Sequence, residues 1–271
     1  MSIRFIKKIF IIVSLVIINS SVVFAGPMDE LLVNGVENNN IALVKTAIAN
    51  GADVNYIQNG KTPLGRAINI QNPEIVNYLI NSGANVNATF TYSLLTGSYQ
   101  VTPLTIAAYK HENVLPQYGT LKKVGNNNDV KIFQSLINAG ANIDGDIQII
   151  GNSMYKDSAR SDGDTPLILA ITCDHILGAG GSSIPMVKLL ISQNVDVNKA
   201  NQYGLTPLMI TANMLSHHPW EEKRHLEIAK LLLAAGADPG KVSKDGNTAL
   251  QYAIKSNHVE MINLLLPISP K

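Results

Sequence analysis

The sequence predicts an all-α solenoid built from short repeats, and three observations carry this prediction. A Thr-Pro-Leu tripeptide, degenerate in its last copy, recurs at positions that begin with Thr62, Thr102, Thr165, Thr206 and Thr248. Downstream of each copy except the last, an apolar run ends in a Gly-Ala-Asp/Asn motif or a variant of it. The distance from Thr62 to Gly83 and the distance from Asn194 to Thr206 add up to a period of about 33 residues, which is typical of a helical repeat array.

Each Thr-Pro-Leu predicts the beginning of a helix. The Thr hydroxyl can accept a hydrogen bond from a free backbone N–H at a helix N-terminus, and Pro fits the first helical position because its missing N–H is not needed there. The Gly after the apolar run predicts the end of a second helix, and Asn194 replaces it in one repeat. Apolar residues fall at helical spacing between these signals, as in Ile75, Val76, Leu79 and Ile80, and predict the core.

Together the two motifs and their spacing resemble the ankyrin repeat, whose unit is a β-turn, called a finger here, followed by two helices. Counting back from Gly51 by the distance that separates Thr62 from Gly83 gives a divergent first repeat near Glu30. The resemblance implies an ankyrin-repeat solenoid of about six helix-turn-helix repeats with β-turn fingers over residues 26–271. The expected repeats span about residues 28–57, 58–88, 98–145, 160–199, 201–240 and 243–271.

Residues 1–25 have the pattern of a signal peptide. Arg4 and two lysines form a positive N-terminal region, residues 9–18 are apolar, and small or branched residues lead to Ala25. We expect cleavage after Ala25 and export to the periplasm or out of the cell. An uncleaved membrane anchor is the alternative, but the apolar stretch is shorter than the roughly 20 residues that span a bilayer. The abundance of Asn and Ile suggests a bacterial source.

Composition excludes several classes of function. The formal net charge is +1 and charged residues make up 15% of the chain, so there is no basic field for nucleic acid.

The single cysteine, Cys173, cannot form an internal disulfide, so packing must hold the repeats together. Cys173 precedes Asp174 and His175, which could be read as a nucleophile beside a base. The expected helix offers no cleft or oxyanion donors there, so we expect no catalysis.

Three repeats and two fingers are longer than the unit. The helical parts of the third, fourth and fifth repeats are all longer than the helical part of the second; they run over residues 102–140, 165–194 and 206–236. The fingers after Gly83 and Gly140 are both longer than the finger after Asn194. The residue types in both long fingers alternate as they do in β-strands, at residues 89–99 and 147–152. This alternation predicts β-hairpins that could pair into a small sheet. Such inserts in repeat arrays often lie on the binding face.

The chain also departs from the family at the residue after Thr-Pro-Leu. The resemblance implies a His there, which bonds between repeats, but the chain has Gly65, Thr105, Ile168, Met209 and Gln251. Gly65 inside a helix costs about 1 kcal/mol relative to Ala. The sequence therefore predicts a weak point in the second repeat.

One cluster of side chains has the spacing of a metal site. Its members are His217, His218, Glu221, Glu222 and His225. Pro219 followed by acidic residues is equally a well-formed helix start, with negative charge at the positive end of the helix dipole. We favour the helix and expect neither metal nor cofactor. A metal-binding protein or metalloenzyme that uses residues 217–225 is one alternative.

The resemblance implies a non-catalytic protein–protein interaction module that binds through a concave face formed by fingers and first helices. We expect one unidentified protein as the partner, no nucleic acid, no membrane contact after signal cleavage, and a monomer. An exported effector of a bacterial pathogen acting on host proteins is a further alternative. Carried over by position, the expected partner-binding residues are Gln58, Asn59, Lys61, Tyr99, Tyr109, Lys110, Asp162, Asp164, Gln202, Tyr203, Leu205 and Met214.

Overall fold

The computed structural model describes residues 26–94, 97–109, 127–150, 163–172, 183–213 and 219–269. Within these ranges, no helix is both long and apolar enough to cross a membrane. Tyr99 and Tyr109 lie in described elements, but the description does not extend to their side chains. Several sequence-based predictions fall outside the described residues altogether: the signal peptide, Lys110, Asp162, Cys173, Met214, His217 and His218.

Short helices follow one another in pairs. The first pairs are α1 (Pro27–Glu37) with α2 (Ile41–Ala49), α3 (Pro63–Ile70) with α4 (Pro73–Asn81), and α5 (Pro103–Tyr109) with α6 (Asn127–Asn138). The next are α7 (Pro166–Thr172) with α8 (Ser183–Ser192), α9 (Pro207–Asn213) with α10 (Pro219–Ala234), and α11 (Ala249–Lys255) with α12 (Val259–Leu265). First helices pack on first helices of the next pair and second on second, which gives a solenoid.

The helices begin and end where the motifs predict. The helices α3, α5, α7 and α9 each start at the Pro of a Thr-Pro-Leu copy. Thr62 caps α3, because its Oγ1 accepts a hydrogen bond from the N–H of Gly65 at 3.1 Å. The glycines that close α2, α4, α6 and α10 have φ values of 82° to 93°, and Asn194 after α8 has a φ of 59°. These are left-handed conformations that Gly and Asn tolerate best.

Two of the residues that replace the family's His cap the helices on which they lie. Thr105 Oγ1 accepts a hydrogen bond from the N–H of Thr102 at 2.7 Å. Gln251 Oε1 accepts one from the N–H of Thr248 at 2.7 Å, and the Thr248 hydroxyl caps α11 in return. The bond between repeats that the family resemblance implies is thus replaced at these positions by bonds within one repeat.

A small antiparallel sheet joins two neighbouring fingers. Its strands are β1 (Phe90–Leu94), β2 (Gly97–Val101) and β3 (Gln148–Ile150), in the order β1-β2-β3. Phe90 lies opposite Val101 in the β1–β2 pair, and Gln100 lies opposite Gln148 in the β2–β3 pair. The finger after Gly83 supplies β1 and β2, and the finger after Gly140 supplies β3. The sheet therefore crosses from one repeat to the next.

Gly65 has a packing role that its helix propensity does not show. A Cβ atom built on Gly65 would lie 2.8 Å from Cζ of Phe90 and 3.1 Å from the two Cε atoms of the same ring. Phe90 is buried, so its ring has little room to move away. The space that a side chain at Gly65 of α3 would fill is therefore occupied by the ring of Phe90, the first residue of β1.

One apolar core runs through the described part of the molecule. It forms a single cluster from Leu32 in α1 to Leu265 in α12. Phe133 in α6 is among its largest fully buried side chains. Because the core is continuous, each helix pair is stabilised chiefly by its neighbours along the stack.

Asparagine side chains in the turns after the second helices also form hydrogen bonds with the corresponding turn of the next repeat. Asn55 donates from Nδ2 to the carbonyl oxygen of Gly83 at 3.1 Å and accepts at Oδ1 from the N–H of Asn85 at 2.7 Å. Asn87 and Asn198 make the same two bonds to the turns that follow them. An amide side chain suits this position because it offers one donor and one acceptor.

Candidate functional site

The fingers lie side by side and form the finger row, defined as residues 56–61, 88–94, 97–101, 145–150, 163–165, 200–206 and 241–247. A Cβ atom built on Gly60 would lie 3.7 Å from Cβ of Thr91 in β1. Further along, Gly163 approaches the backbone of Gln202, and a Cβ atom there would lie 2.8 Å from the Gln202 nitrogen. The N–H of Lys244 donates to the carbonyl oxygen of Tyr203 at 3.0 Å. The backbones of neighbouring fingers in the row are therefore closely packed against each other.

The first finger of this row is a tight hairpin turn. Gln58 and Lys61 exchange two backbone hydrogen bonds of 3.1 Å, and Asn59 and Gly60 between them have φ values of 52° and 71°. Two central residues with positive φ match the twist of a hairpin, which is why Asn-Gly is favoured there. Arg66 on α3 fixes this turn by donating from Nη2 to the carbonyl oxygen of Gln58 at 2.7 Å. Its Nη1 bonds to the carboxylate of Glu37.

Asn201 organises the finger between α8 and α9. Its Oδ1 accepts hydrogen bonds from the N–H groups of Tyr203 and Leu205, at 3.0 and 3.1 Å. Its Nδ2 donates to Oδ1 of Asp164 in the preceding finger at 2.8 Å. Asn201 is itself buried. One buried amide therefore shapes its own finger and joins it to the preceding finger.

The structure corrects two of the expected contact residues. Asp164 is only 5% exposed, because its carboxylate lies between two fingers and accepts the hydrogen bond of Asn201. Leu205 is also 5% exposed and belongs to the apolar core. Neither side chain is presented to a partner in this conformation. Both hold the finger row in shape.

The remaining described members of the expected set lie on the finger row with different degrees of exposure. Asn59 and Gln202 are exposed at the tips of their turns, and Gln58, Lys61 and Tyr203 are half-buried. Tyr99 lies in the middle strand, opposite Tyr92 of β1 and Ile149 of β3. The structure places these residues on neighbouring fingers, and it does not show what they bind.

Two exposed apolar residues on the finger row were not expected from the sequence. Ile57 is 57% exposed and Val242 is 58% exposed. Both stand six residues after the glycine that closes the preceding helix, Gly51 in one case and Gly236 in the other. A comparison of fingers by this spacing would have found them, since a large apolar residue at a solvent-exposed turn is the informative exception.

The geometry around α10 does not favour the metal alternative. Among the described residues, no group of three or more His, Cys, Asp or Glu side chains could hold a metal ion. Glu221 and His225 are both buried in α10. Nη2 of Arg224 lies 3.4 Å from Nε2 of His225, and a guanidinium this close repels a metal cation. Of the five residues in the spacing pattern, His217 and His218 lie outside the described part of the chain.

Comparison with known proteins identifies one family. The family model described as ankyrin repeats (3 copies) matches residues 32–116 and 175–271. The ANK repeat-containing protein nipk-1 of Caenorhabditis elegans is 28% identical over 60% of this chain and 29% of its own length. A putative ankyrin repeat protein of Acanthamoeba polyphaga mimivirus is 31% identical over 49% of this chain and 67% of its own. The chain thus spans under a third of the first relative.

Solved structures share the fold at low sequence identity. An ankyrin repeat domain from Acinetobacter baumannii AYE matches 88% of this chain and 98% of its own, with a TM-score of 0.63 and 24% identity. A structure of a predatory endopeptidase from Bdellovibrio bacteriovorus in complex with an immunity protein contains a chain that matches with a TM-score of 0.58 and 22% identity. That match covers 88% of this chain and 97% of the other. At these identities the likeness concerns the fold alone.

Proposed function

This chain belongs to the ankyrin-repeat family, and from that premise we propose that it is a non-catalytic module that binds a protein partner through the finger row. Ankyrin-repeat domains are generally protein–protein interaction modules. A fold of this kind is a scaffold on which recognition is carried by particular exposed residues. We take the helix pairs α1–α2 to α11–α12 as six repeats.

The observation that carries the proposal is the combination of a fixed backbone and exposed side chains on the finger row. The backbone bonds of the fingers and the buried Asn201 hold the row in one shape. Ile57 and Val242 nevertheless stay more than half exposed on it. Apolar groups that a rigid surface holds in water lose little entropy when a partner covers them, so they are suitable anchors for binding.

Polar groups beside the two apolar residues can supply specificity. Asn59 and Lys61 follow Ile57 in its turn, and Lys241 and Lys244 flank Val242. Gln202 is exposed between these two fingers. An apolar anchor with a polar rim is the usual composition of a protein interface. The solved complex of an endopeptidase with an immunity protein is an example of this fold in an assembly of two proteins.

A capture experiment tests the proposal. The purified protein is immobilised, exposed to an extract of its own cells, and the retained proteins are quantified by mass spectrometry. The double variant Ile57→Asp with Val242→Asp should retain at least about tenfold less of the specific partner, because a charge would be buried in each anchor position. The affinity of the partner, once purified, is then measured by calorimetry.

The matched control is Ala42→Asp, a change from an apolar to an acidic residue on the exposed surface of α2. It should retain the partner as the unchanged protein does, and circular dichroism should show that both variants are folded. If the finger-row variant retains the same proteins in the same amounts as the control, the finger row is not the binding surface.

We also propose that residues 1–25 direct export and are removed after Ala25. The support is the charged and then apolar pattern of this segment. Mass spectrometry of the protein recovered from separated cell fractions tests this, and we expect the mass of a chain that begins at Gly26 in a fraction outside the cytoplasm. A full-length mass in the cytoplasm would contradict export. Confinement to the periplasm would count against action on host proteins.

A further inference from the structure

The chain contains three Asn-Gly dipeptides, in which an Asn side chain is followed directly by a residue without a side chain. In such a pair the backbone nitrogen of the Gly can attack the side-chain amide of the Asn, because no Cβ atom hinders its approach. All three Asn side chains belong to exposed residues, so exposure to water does not distinguish the pairs. Their hydrogen bonds do distinguish them. The three pairs are Asn34-Gly35, Asn50-Gly51 and Asn59-Gly60.

The first pair is held by helix α1. In an α-helix the N–H of residue 35 is bonded to the carbonyl oxygen four residues earlier. Oδ1 of Asn34 accepts a hydrogen bond from Nδ2 of Asn38 at 2.8 Å. Gly35 is buried, and a Cβ atom built on it would lie 2.9 Å from the backbone nitrogen of Val44 in α2. The end of α1 would therefore have to unwind against α2 before the Gly35 nitrogen could reach the Asn34 side chain.

The second pair is held at the end of α2. Nδ2 of Asn50 donates a hydrogen bond to the carbonyl oxygen of Thr46 at 2.7 Å. The N–H of Gly51 donates to the carbonyl oxygen of Ile48 at 3.0 Å. Both groups that would have to react with each other are thus bonded to the helix that precedes them.

The third pair forms the two central residues of the first finger. Among the residues that the structure describes, neither the side chain of Asn59 nor the N–H of Gly60 has a hydrogen-bond partner. The turn around them is closed by the backbone bonds between Gln58 and Lys61 and by the contact with Arg66. A two-residue loop opens at a lower cost in free energy than a helix end packed on its neighbour, because fewer contacts are broken.

We propose that Asn59 is a site of spontaneous chemical modification, at which the first finger loses ammonia and gains a negative charge. The backbone nitrogen of Gly60 forms a bond to Cγ of Asn59, the Cγ–Nδ2 bond breaks, and ammonia leaves with the proton of the Gly60 N–H. The product of this step is a cyclic imide. Water then adds to one of the two carbonyl groups of the imide, and the ring opens to an aspartate or to an isoaspartate.

The modification changes the finger row next to an exposed apolar residue. Either product places a carboxylate in the turn that contains Ile57 and Lys61. The isoaspartate also lengthens the main chain by one carbon atom, so the two-residue loop that fits the hairpin is lost. This inference does not depend on what the finger row binds, because the reaction needs only the chain and water.

Incubation of the purified protein in mildly alkaline buffer tests the proposal, with samples digested and measured by mass spectrometry over time. Fragment spectra should assign a gain of about 1 Da to Asn59, since an amide has become a carboxylate. Isoaspartate should account for part of the product. Conversion at Asn34 and at Asn50 should each be at least about tenfold slower, because each pair must first break its helix contacts.

The matched control is the same chain in urea, in which the three Asn-Gly pairs are unfolded and should convert at similar rates. Asn59 that stays unconverted in the folded protein would overturn the proposal, because the turn would then protect it. Equal rates at the three pairs in the folded protein would also overturn it, since the fold would not select one of them. A product without isoaspartate would exclude the cyclic imide and with it the proposed reaction.

Discussion

Asn87 and Asp144 are at equivalent positions in two neighbouring turns, four residues after Gly83 and Gly140. They differ in the hydrogen bonds that they form with the turn of the following repeat. Asn87 donates to the carbonyl oxygen of Gly140 at 3.0 Å and accepts from the N–H of Asn142 at 2.7 Å. Asp144 accepts from the N–H of Asp196 at 3.2 Å. A carboxylate has no N–H, so the Asp144 side chain cannot donate a hydrogen bond as the Asn87 amide does to the carbonyl oxygen of Gly140.

The two junctions differ in a second way. At the junction of the second and third repeats, the ring of Phe90 occupies the space left by Gly65. At the junction of the third and fourth, Lys199 bonds through Nζ to the carbonyl oxygen of Asp144. The comparison shows that neighbouring repeats of one array are joined by different chemistry. The earlier junction combines the two hydrogen bonds of the Asn87 amide with a buried ring. The later junction combines hydrogen bonds to Asp144 with the pairing of β3 and β2.

The largest expected effect is loss of the ring at the earlier junction. Phe90→Ala should lower the free energy of unfolding by about 3 to 4 kcal/mol, because it removes a buried aromatic side chain and leaves a cavity against Gly65. Urea denaturation followed by circular dichroism measures the change. The control is Val242→Ala, at an exposed site, for which we expect a change within about 0.5 kcal/mol. Equal stability of Phe90→Ala and the control would show that the ring does not hold the junction.

Making the earlier junction like the later one should have the next largest effect. Asn87→Asp removes the donor to the Gly140 carbonyl oxygen and places a carboxylate beside it. We expect a loss of about 1 to 2 kcal/mol in the free energy of unfolding, since a hydrogen bond is lost and an acceptor faces an acceptor. The same urea titration measures it. An unchanged midpoint of urea denaturation would mean that the hydrogen bond from Asn87 to Gly140 contributes nothing to stability.

Filling the space under Phe90 should have a smaller effect. Gly65→Ala gains about 1 kcal/mol of helix propensity but forces a Cβ atom against the ring, which costs about 1 to 3 kcal/mol. We expect a net loss of about 1 kcal/mol by urea titration. The loss should disappear when Gly65→Ala is made in a Phe90→Leu background. A stabilised Gly65→Ala variant would instead support the weak point that helix propensity alone predicts.

The smallest effect is expected when the later junction is made like the earlier one. Asp144→Asn supplies the missing donor towards the turn after α8 and should raise the free energy of unfolding by about 0.5 to 1 kcal/mol. Asp144→Ala is the control, because it also loses the acceptor for the Asp196 N–H and should not stabilise. A destabilised Asp144→Asn variant would show that the carboxylate has a role that an amide cannot fill.

Much of the fold could be predicted because its signals are local. The Thr that caps α3, the Pro residues that begin α3, α5, α7 and α9, and the left-handed Gly and Asn residues after the second helices act within a few residues of their own positions. Their repetition at a fixed spacing gives the solenoid, since each helix pair needs its neighbours to bury its apolar side. The candidate site was less predictable, because Asp164 and Leu205 match the expected contact positions in spacing and yet are buried.

The sequence by itself determined the period, the helix boundaries and the family, because these depend on capping groups, glycines and apolar spacing within one repeat. The tertiary structure alone decided that β3 joins β2, that Phe90 fills the space at Gly65, and that Asp164 is buried between two fingers. Each of these contacts joins residues far apart in the chain or depends on the presence of a neighbouring repeat. Residue spacing within one repeat carries no information about such contacts.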